Sequence, residues 1–135
     1  MASVVYKSAK QKFLSGTLDL TSLTLKAVLI DTADYTFSAA HDFLDDVPSG
    51  ARVGTPQTLA SKTVTDGVFD AADITFTSVT GDQCEAIIIY EDSGSEATSD
   101  LICYIDTAAS GLPVTPNGGN INVAWDNGAN KIFAL

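Results

Sequence analysis

Cations are scarce in this chain. Seven Lys and Arg stand against seventeen Asp and Glu among 135 residues, for a formal charge of −10. A surface this acidic repels phosphate backbones, which argues against a nucleic-acid partner unless the few cations are clustered. Long apolar runs are missing too. None exceeds the five residues of Ala86-Ile87-Ile88-Ile89-Tyr90, far short of the ~20 residues that span a bilayer, so no membrane partner is expected. Lys7, Lys10 and Lys12 interrupt the stretch where a signal peptide would carry its apolar region, and synthesis in the cytoplasm without export is expected. One histidine, two cysteines and no CxxC leave no zinc-ligand spacing. No GxSxG elbow, Walker A loop, GxGxxG turn or calcium-loop pattern occurs either. The motifs therefore point to no enzyme, no cofactor and no metal.

What is present is the composition of a globular protein, 45% hydrophobic and 18% charged. A chain of this length buries about two-thirds of its surface on folding, enough for one domain over residues 1–135 without a metal or disulfide staple. Cys84 and Cys103 lie in strand-like segments, 84–90 and 101–105, that a hairpin joins through the polar loop 91–100. With Glu91 opposite Leu101, Cys84 falls opposite Ala108. The two sulfurs are then too far apart for a disulfide, whose Cα atoms lie within about 7 Å. Two buried free thiols are expected.

Periodicity predicts one clear helix. Val5, Ala9 and Phe13 recur every four residues, with Ser3 as N-cap and Gly16 as the stop. From Thr17 the period shortens: Leu18, Leu20, Leu23 and Leu25 alternate as strand, and Lys26-Ala27-Val28-Leu29-Ile30 reads as a strand covered on both faces. Ser38 can cap a short helical turn that gathers Phe43, Leu44 and Val47 on one side. Pro56 makes residues 51–60 an edge strand or a loop, and Asp66-Gly67 marks a tight hairpin. Residues 74–79, 121–125 and 131–135 read as further strands, while Pro113, Pro116 and Gly118-Gly119 make 112–119 a loop or edge. Seven or eight short strands, one amphipathic N-terminal helix and a short helical insertion predict a mainly β fold. An antiparallel β-sandwich or Greek-key-like single domain is the expectation.

Candidates for chemistry are few. His41 could join Asp42 or Asp45 and a serine, but a solvent-facing or capping role fits its position better. Asp42, Asp45 and Asp46, with Asp31 and Asp34 upstream, read as surface charge rather than a calcium site. Trp125 and Tyr90 read as core rather than ligand-stacking residues. The first 26 residues hold Lys7, Lys10, Lys12 and Lys26 against one acid, Asp19, so the helix is either a docking face for an acidic partner or an ordinary solvated face.

The order of short phrases carries a resemblance. Val5-Tyr6-Lys7 and Phe13-Leu14-Ser15-Gly16-Thr17-Leu18-Asp19-Leu20 run into Leu25-Lys26-Ala27-Val28-Leu29-Ile30, Tyr35-Thr36-Phe37 and His41-Asp42-Phe43-Leu44-Asp45-Asp46-Val47. Val68-Phe69-Asp70-Ala71-Ala72-Asp73-Ile74-Thr75-Phe76, Ile89-Tyr90, Ser99-Asp100-Leu101-Ile102, Tyr104-Ile105-Asp106 and Ile121-Asn122-Val123-Ala124-Trp125 follow. This series resembles a group of small structural proteins encoded among the virion genes of tailed bacteriophages. The resemblance implies a non-enzymatic virion component. The first expectation is a capsid decoration (cement) protein bound to the major capsid protein at the head surface and self-associating, for example as a trimer. The alternative is a tail, tail-fibre or adaptor component, for which host-glycan binding would be the expected role. Docking would fall to Lys7, Lys10 and Lys12 and to the loops carrying Arg52, Pro56, Pro113 and Pro116.

Overall fold

The computed structural model describes residues 3–106 and 112–135. The chain opens with a short strand, β1 (Ser3–Val5), where the helix was expected to begin. β-Branched Val4 and Val5 pair with Tyr104 and Cys103 instead of starting a helical turn. Helix α1 (Lys7–Ser15) follows, with Tyr6 rather than Ser3 at the cap position and no side-chain cap bond. Its end is as predicted. Gly16 takes the left-handed conformation at φ 77°, its N–H reaches Phe13 O, and Thr17 N–H reaches Lys12 O, the paired bonds of a Schellman motif.

Leu18 and Leu20 are buried, as their alternation suggests, but residues 17–24 form a turn and not a strand. The Asp19 carboxylate accepts the N–H and hydroxyl of Thr21, while its carbonyl accepts the N–H groups of Ser22 and Leu23. These local bonds draw the backbone away from a ladder.

Strands β2 (Leu25–Ile30), β3 (Arg52–Thr58), β4 (Thr63–Thr65), β5 (Val68–Asp70), β6 (Ile74–Phe76), β7 (Ala86–Glu91), β8 (Leu101–Ile105), β9 (Ile121–Val123) and β10 (Phe133–Ala134) complete the fold. The protein is mainly β and antiparallel, as its pattern predicts. A five-stranded sheet in the order β1-β8-β7-β2-β3 is accompanied by a three-stranded sheet, β10-β5-β4, and the pair β6-β9. The apolar runs of β2 and β7 lie side by side at the centre, and Ala27 through Ile30 and Ala86 through Ile89 are fully buried.

Two cross-strand rows show why both faces need cover. Leu29, Ile87 and Ile105 share one face, and Val28, Ile88 and Tyr104 share the other. Over the second row the segment between β2 and β3 brings Phe37 and Tyr35 to Tyr104, with ring centroids 4.8 and 6.3 Å away. Phe13 of α1 stacks on Phe133, which meets Phe69, so the helix and the three-stranded sheet share one aromatic cluster.

The helical insertion is smaller than expected. It consists of two 3-10 turns, Leu44–Asp46 and Ser49–Ala51. Ser38 does not cap them. Its hydroxyl accepts the Ala40 N–H in a turn of its own, and Phe43 at the head of the first turn is extended. Leu44 and Val47 are buried, as predicted.

β3 is an edge strand. Gly54, Thr55 and Pro56 bulge opposite Val28, between the pairs Leu29–Val53 and Ala27–Gln57. Pro56 sits where a missing N–H costs no ladder bond. Gly54 adopts φ 73° and lies so close to β6's flank that a Cβ would stand 3.3 Å from Val79 Cγ1. In the predicted hairpin, Asp66 and Gly67 have φ 53° and 78°, the two positive values of a type I′ turn.

Tyr90, rather than Glu91, pairs with Leu101, and a bulge places Cys103 opposite Ile89. Cys84 bridges to Val114, and both thiols are free and buried, as expected. Ala108, the expected neighbour of Cys84, lies outside the described residues.

Candidate docking surfaces

The nine residues of α1 turn Ala9 inward and leave Lys7, Lys10, Gln11 and Leu14 in one stripe at helical spacing. Leu14 is 90% exposed. Among the described residues no carboxylate pairs with Lys7 or Lys10, although Lys12, Lys26 and Arg52 all have acidic partners. The stripe is thus a patch of free positive charge, ending in a bare leucine, on a molecule of charge −10.

Lys12 does not belong to that stripe. Its ammonium bonds Asp100, a buried carboxylate at the start of β8, and lies 5.0 Å from the Phe43 ring centroid. Arg52 is likewise engaged within the fold. Its Nη2 donates to Leu44 O at 3.0 Å, to Val47 O at 2.6 Å and to Glu96 Oε1 at 2.8 Å, and its Nε also reaches Val47 O. It holds the carbonyls of the first 3-10 turn. Pro113 is exposed and Pro116 half-buried, on a loop tied to the fold by the Cys84–Val114 bridge and by Gly118 N–H to Val79 O. The seven sequence candidates therefore fall on three separate elements.

Arg52 and Pro56 are joined by residues that no local pattern links to them. They line a cleft of about 260 Å³ with Leu44, Tyr90, Asp92 and Glu96. Its far wall is the loop 91–100, which is knit internally. Ser93 Oγ lies 2.7 Å from Thr98 Oγ1, and Ser99 Oγ donates to Ser95 O at 2.8 Å. The loop is also sewn to the 3-10 turn, through Leu44 N–H to Ser99 O and Asp45 N–H to Glu96 O. Asp92 pairs with Lys26 at 2.9 Å, which holds its carboxyl below the usual range, and the bond from Arg52 does the same for Glu96. Tyr90 is only 5% exposed, and burial raises its phenol.

The sole histidine is neither a capping residue nor simply solvent-facing. Half-buried His41 places Nδ1 2.9 Å from the Tyr35 hydroxyl, which lies 3.0 Å from that of Tyr6. Burial and the bond to Tyr35 push the Tyr6 phenol far above its ordinary value. Asp42, Asp45 and Asp46 do not converge on a site. Asp46 accepts the Asp42 N–H, which lowers its carboxyl, while Asp31 and Asp34 meet Asp82 instead. Hard cations favour such carboxylates, but Asp31 already accepts the Ala33 N–H and the other two are exposed. Trp125 is core, donating Nε1–H to Ala72 O at 3.0 Å.

No protein-family model matches the chain, and no curated protein matches it either.

Proposed function

We propose that this chain is a non-enzymatic structural protein of a tailed-phage virion, most simply a decoration protein that docks on the mature head shell. The observation that carries the reading is the α1 stripe, with Lys7 and Lys10, which have no acidic partner among the described residues, and its 90% exposed Leu14. Positive charge concentrated on one face of an acidic molecule steers that face toward an acidic partner, and the leucine supplies apolar contact once it is there. The ordered phrases resembling phage virion proteins supply the partner class, the major capsid protein, and an oligomer such as a trimer as the docking unit.

Stabilisation would follow from mass action. A protein that binds only the mature shell favours it by about 2.7 kcal/mol per site at a hundredfold excess over Kd. Modest contacts repeated over a lattice then resist internal pressure.

Quantitative mass spectrometry of purified particles tests the reading. A copy number near that of the major capsid protein, or a simple fraction of it, is expected. A few tens of copies would move the protein to the tail, and absence from the particle would overturn both. The variant Lys7→Glu/Lys10→Glu/Leu14→Ser is expected to lower occupancy at least about tenfold, because it replaces attraction with like-charge repulsion. Its thermal melt should match the parent, since these side chains face solvent. Unchanged occupancy would remove α1 from the interface.

A further inference from the structure

We propose that Asn127 is a site of self-modification, where the Gly128 backbone nitrogen attacks the side-chain amide and converts it to aspartate or isoaspartate. The chain holds two Asn-Gly pairs, Asn117-Gly118 and Asn127-Gly128. A following glycine has no Cβ to shield its nitrogen and the widest choice of backbone angles, so both pairs have the local chemistry. The fold treats them differently. Gly118 N–H donates to Val79 O at 2.7 Å, Val79 N–H returns a bond to Gly119 O at 3.0 Å, and Asn117 Oδ1 accepts the Gly119 N–H at 2.9 Å. The nitrogen that would attack Asn117 is thus committed to the flank of β6, and the side chain is turned toward the wrong amide. Asn127 carries no such restraint. It is exposed at a loop tip between two anchors. One is Trp125, bonded to Asp73 and Ala72, and the other is Ile132, whose N–H reaches Phe69 O. Among the described residues nothing hydrogen-bonds the Asn127 side-chain amide. Gly128 N–H meets Asp126 Oδ1 at 2.9 Å, an exposed carboxylate of the same turn that water can replace.

The chemistry needs only water besides the chain. Gly128 N forms a bond to Asn127 Cγ while the Cγ–Nδ2 bond breaks. Nδ2 leaves as ammonia, and the hydrogen that the glycine nitrogen gives up reaches it by way of solvent. The product is a succinimide ring, and nothing is oxidised or reduced. Water then adds to one of the two ring carbonyls. Opening at Cγ leaves aspartate, and opening at the Asn127 main-chain carbonyl leaves isoaspartate, with the backbone rerouted through Cγ. Either product adds one carboxylate to a chain already at −10. At Asn117 the same ring can close only after three hydrogen bonds open, and a reaction that waits on local opening is slowed by the scarcity of the open form. The loop tip lies outside the aromatic cluster of Phe13, Phe69 and Phe133, so the change leaves the core intact. None of this depends on where in a particle the protein resides.

Incubation of the whole protein in warm, mildly alkaline buffer tests it. Ion exchange follows the growth of a more acidic species, and chymotryptic mapping by mass spectrometry separates the two asparagines at Trp125. The mass change from Asn to Asp is expected at Asn127. In the folded chain Asn127 should react at least about tenfold faster than Asn117, and in urea, which releases Asn117, the two rates should fall within about threefold of each other. Asn127→Gln, whose longer side chain must close a larger and less favoured ring, should abolish the acidic species. Its melting temperature should match the parent, because the side chain it replaces bonds nothing in the described fold. Equal rates in the folded chain, a tenfold difference that persists in urea, or an undiminished acidic species from Asn127→Gln would each overturn the proposal.

Discussion

Truncating Ile88 to alanine is expected to lower the unfolding free energy by about 4 kcal/mol, from the lost transfer free energy and the cavity left behind. For a domain of this size that lowers the melting temperature by roughly 10–15 °C. Ile88 is fully buried on β7, between Val28 and Tyr104 in the central row, and Tyr35 and Phe37 rest on Tyr104 from outside. The neighbouring strands are held on both sides by ladder bonds, so the sheet cannot close on the cavity. Val64→Ala, at a position 51% exposed on β4, should change stability by less than about 0.5 kcal/mol. Calorimetry of both variants checks the contrast. A loss below about 1.5 kcal/mol at Ile88 would mean that the aromatic cover collapses inward to fill the space.

A second large effect is expected at Tyr35. The arrangement that satisfies all three groups has Tyr6 donating to Tyr35 and Tyr35 donating to Nδ1 of His41. Tyr35→Phe leaves the Tyr6 hydroxyl fully buried with no acceptor and should cost about 2–3 kcal/mol. Tyr6→Phe leaves Tyr35 still bonded to His41 and should cost about 1 kcal/mol. The double variant should cost no more than Tyr35→Phe alone, because the stranded donor is gone. Urea denaturation of the three variants closes the cycle. Strict additivity would show that the Tyr6 hydroxyl finds another acceptor.

The features legible in the sequence are those that local chemistry decides. The apolar run of β2, the Asp66-Gly67 turn, the edge position of Pro56 and the Gly16 stop each follow from residues within a few positions of one another. Where a partner far along the chain decides, local pattern misleads. Val4 and Val5 leave the helix because β8, about a hundred residues away, offers them a ladder. Leu18 and Leu20 are buried at strand spacing by a turn that Asp19 ties. The candidate site divides along the same line. Among the described residues no carboxylate pairs with Lys7 or Lys10, and their exposure follows from helical spacing alone. Lys12 looks like them in sequence and is withdrawn by Asp100, 88 positions away. The cleft is illegible for the same reason: Arg52, Tyr90 and Glu96 meet only through tertiary packing.

The two thiols have a practical consequence. Burial pushes Cys84 up to about 11, helped by the carboxylates of Glu85, Asp31 and Asp82, and raises Cys103 further still. Since the thiolate is the reacting species, only about a thousandth of Cys84 is competent even at pH 8, and that fraction sits behind protein. The native chain is therefore expected to react little with maleimides and other alkylating reagents while it stays folded, which a thiol count with and without denaturant checks. A single cysteine introduced at exposed Asn127, in the turn after Trp125, would then be the one attachment point for a dye or cargo, with neither native residue needing removal.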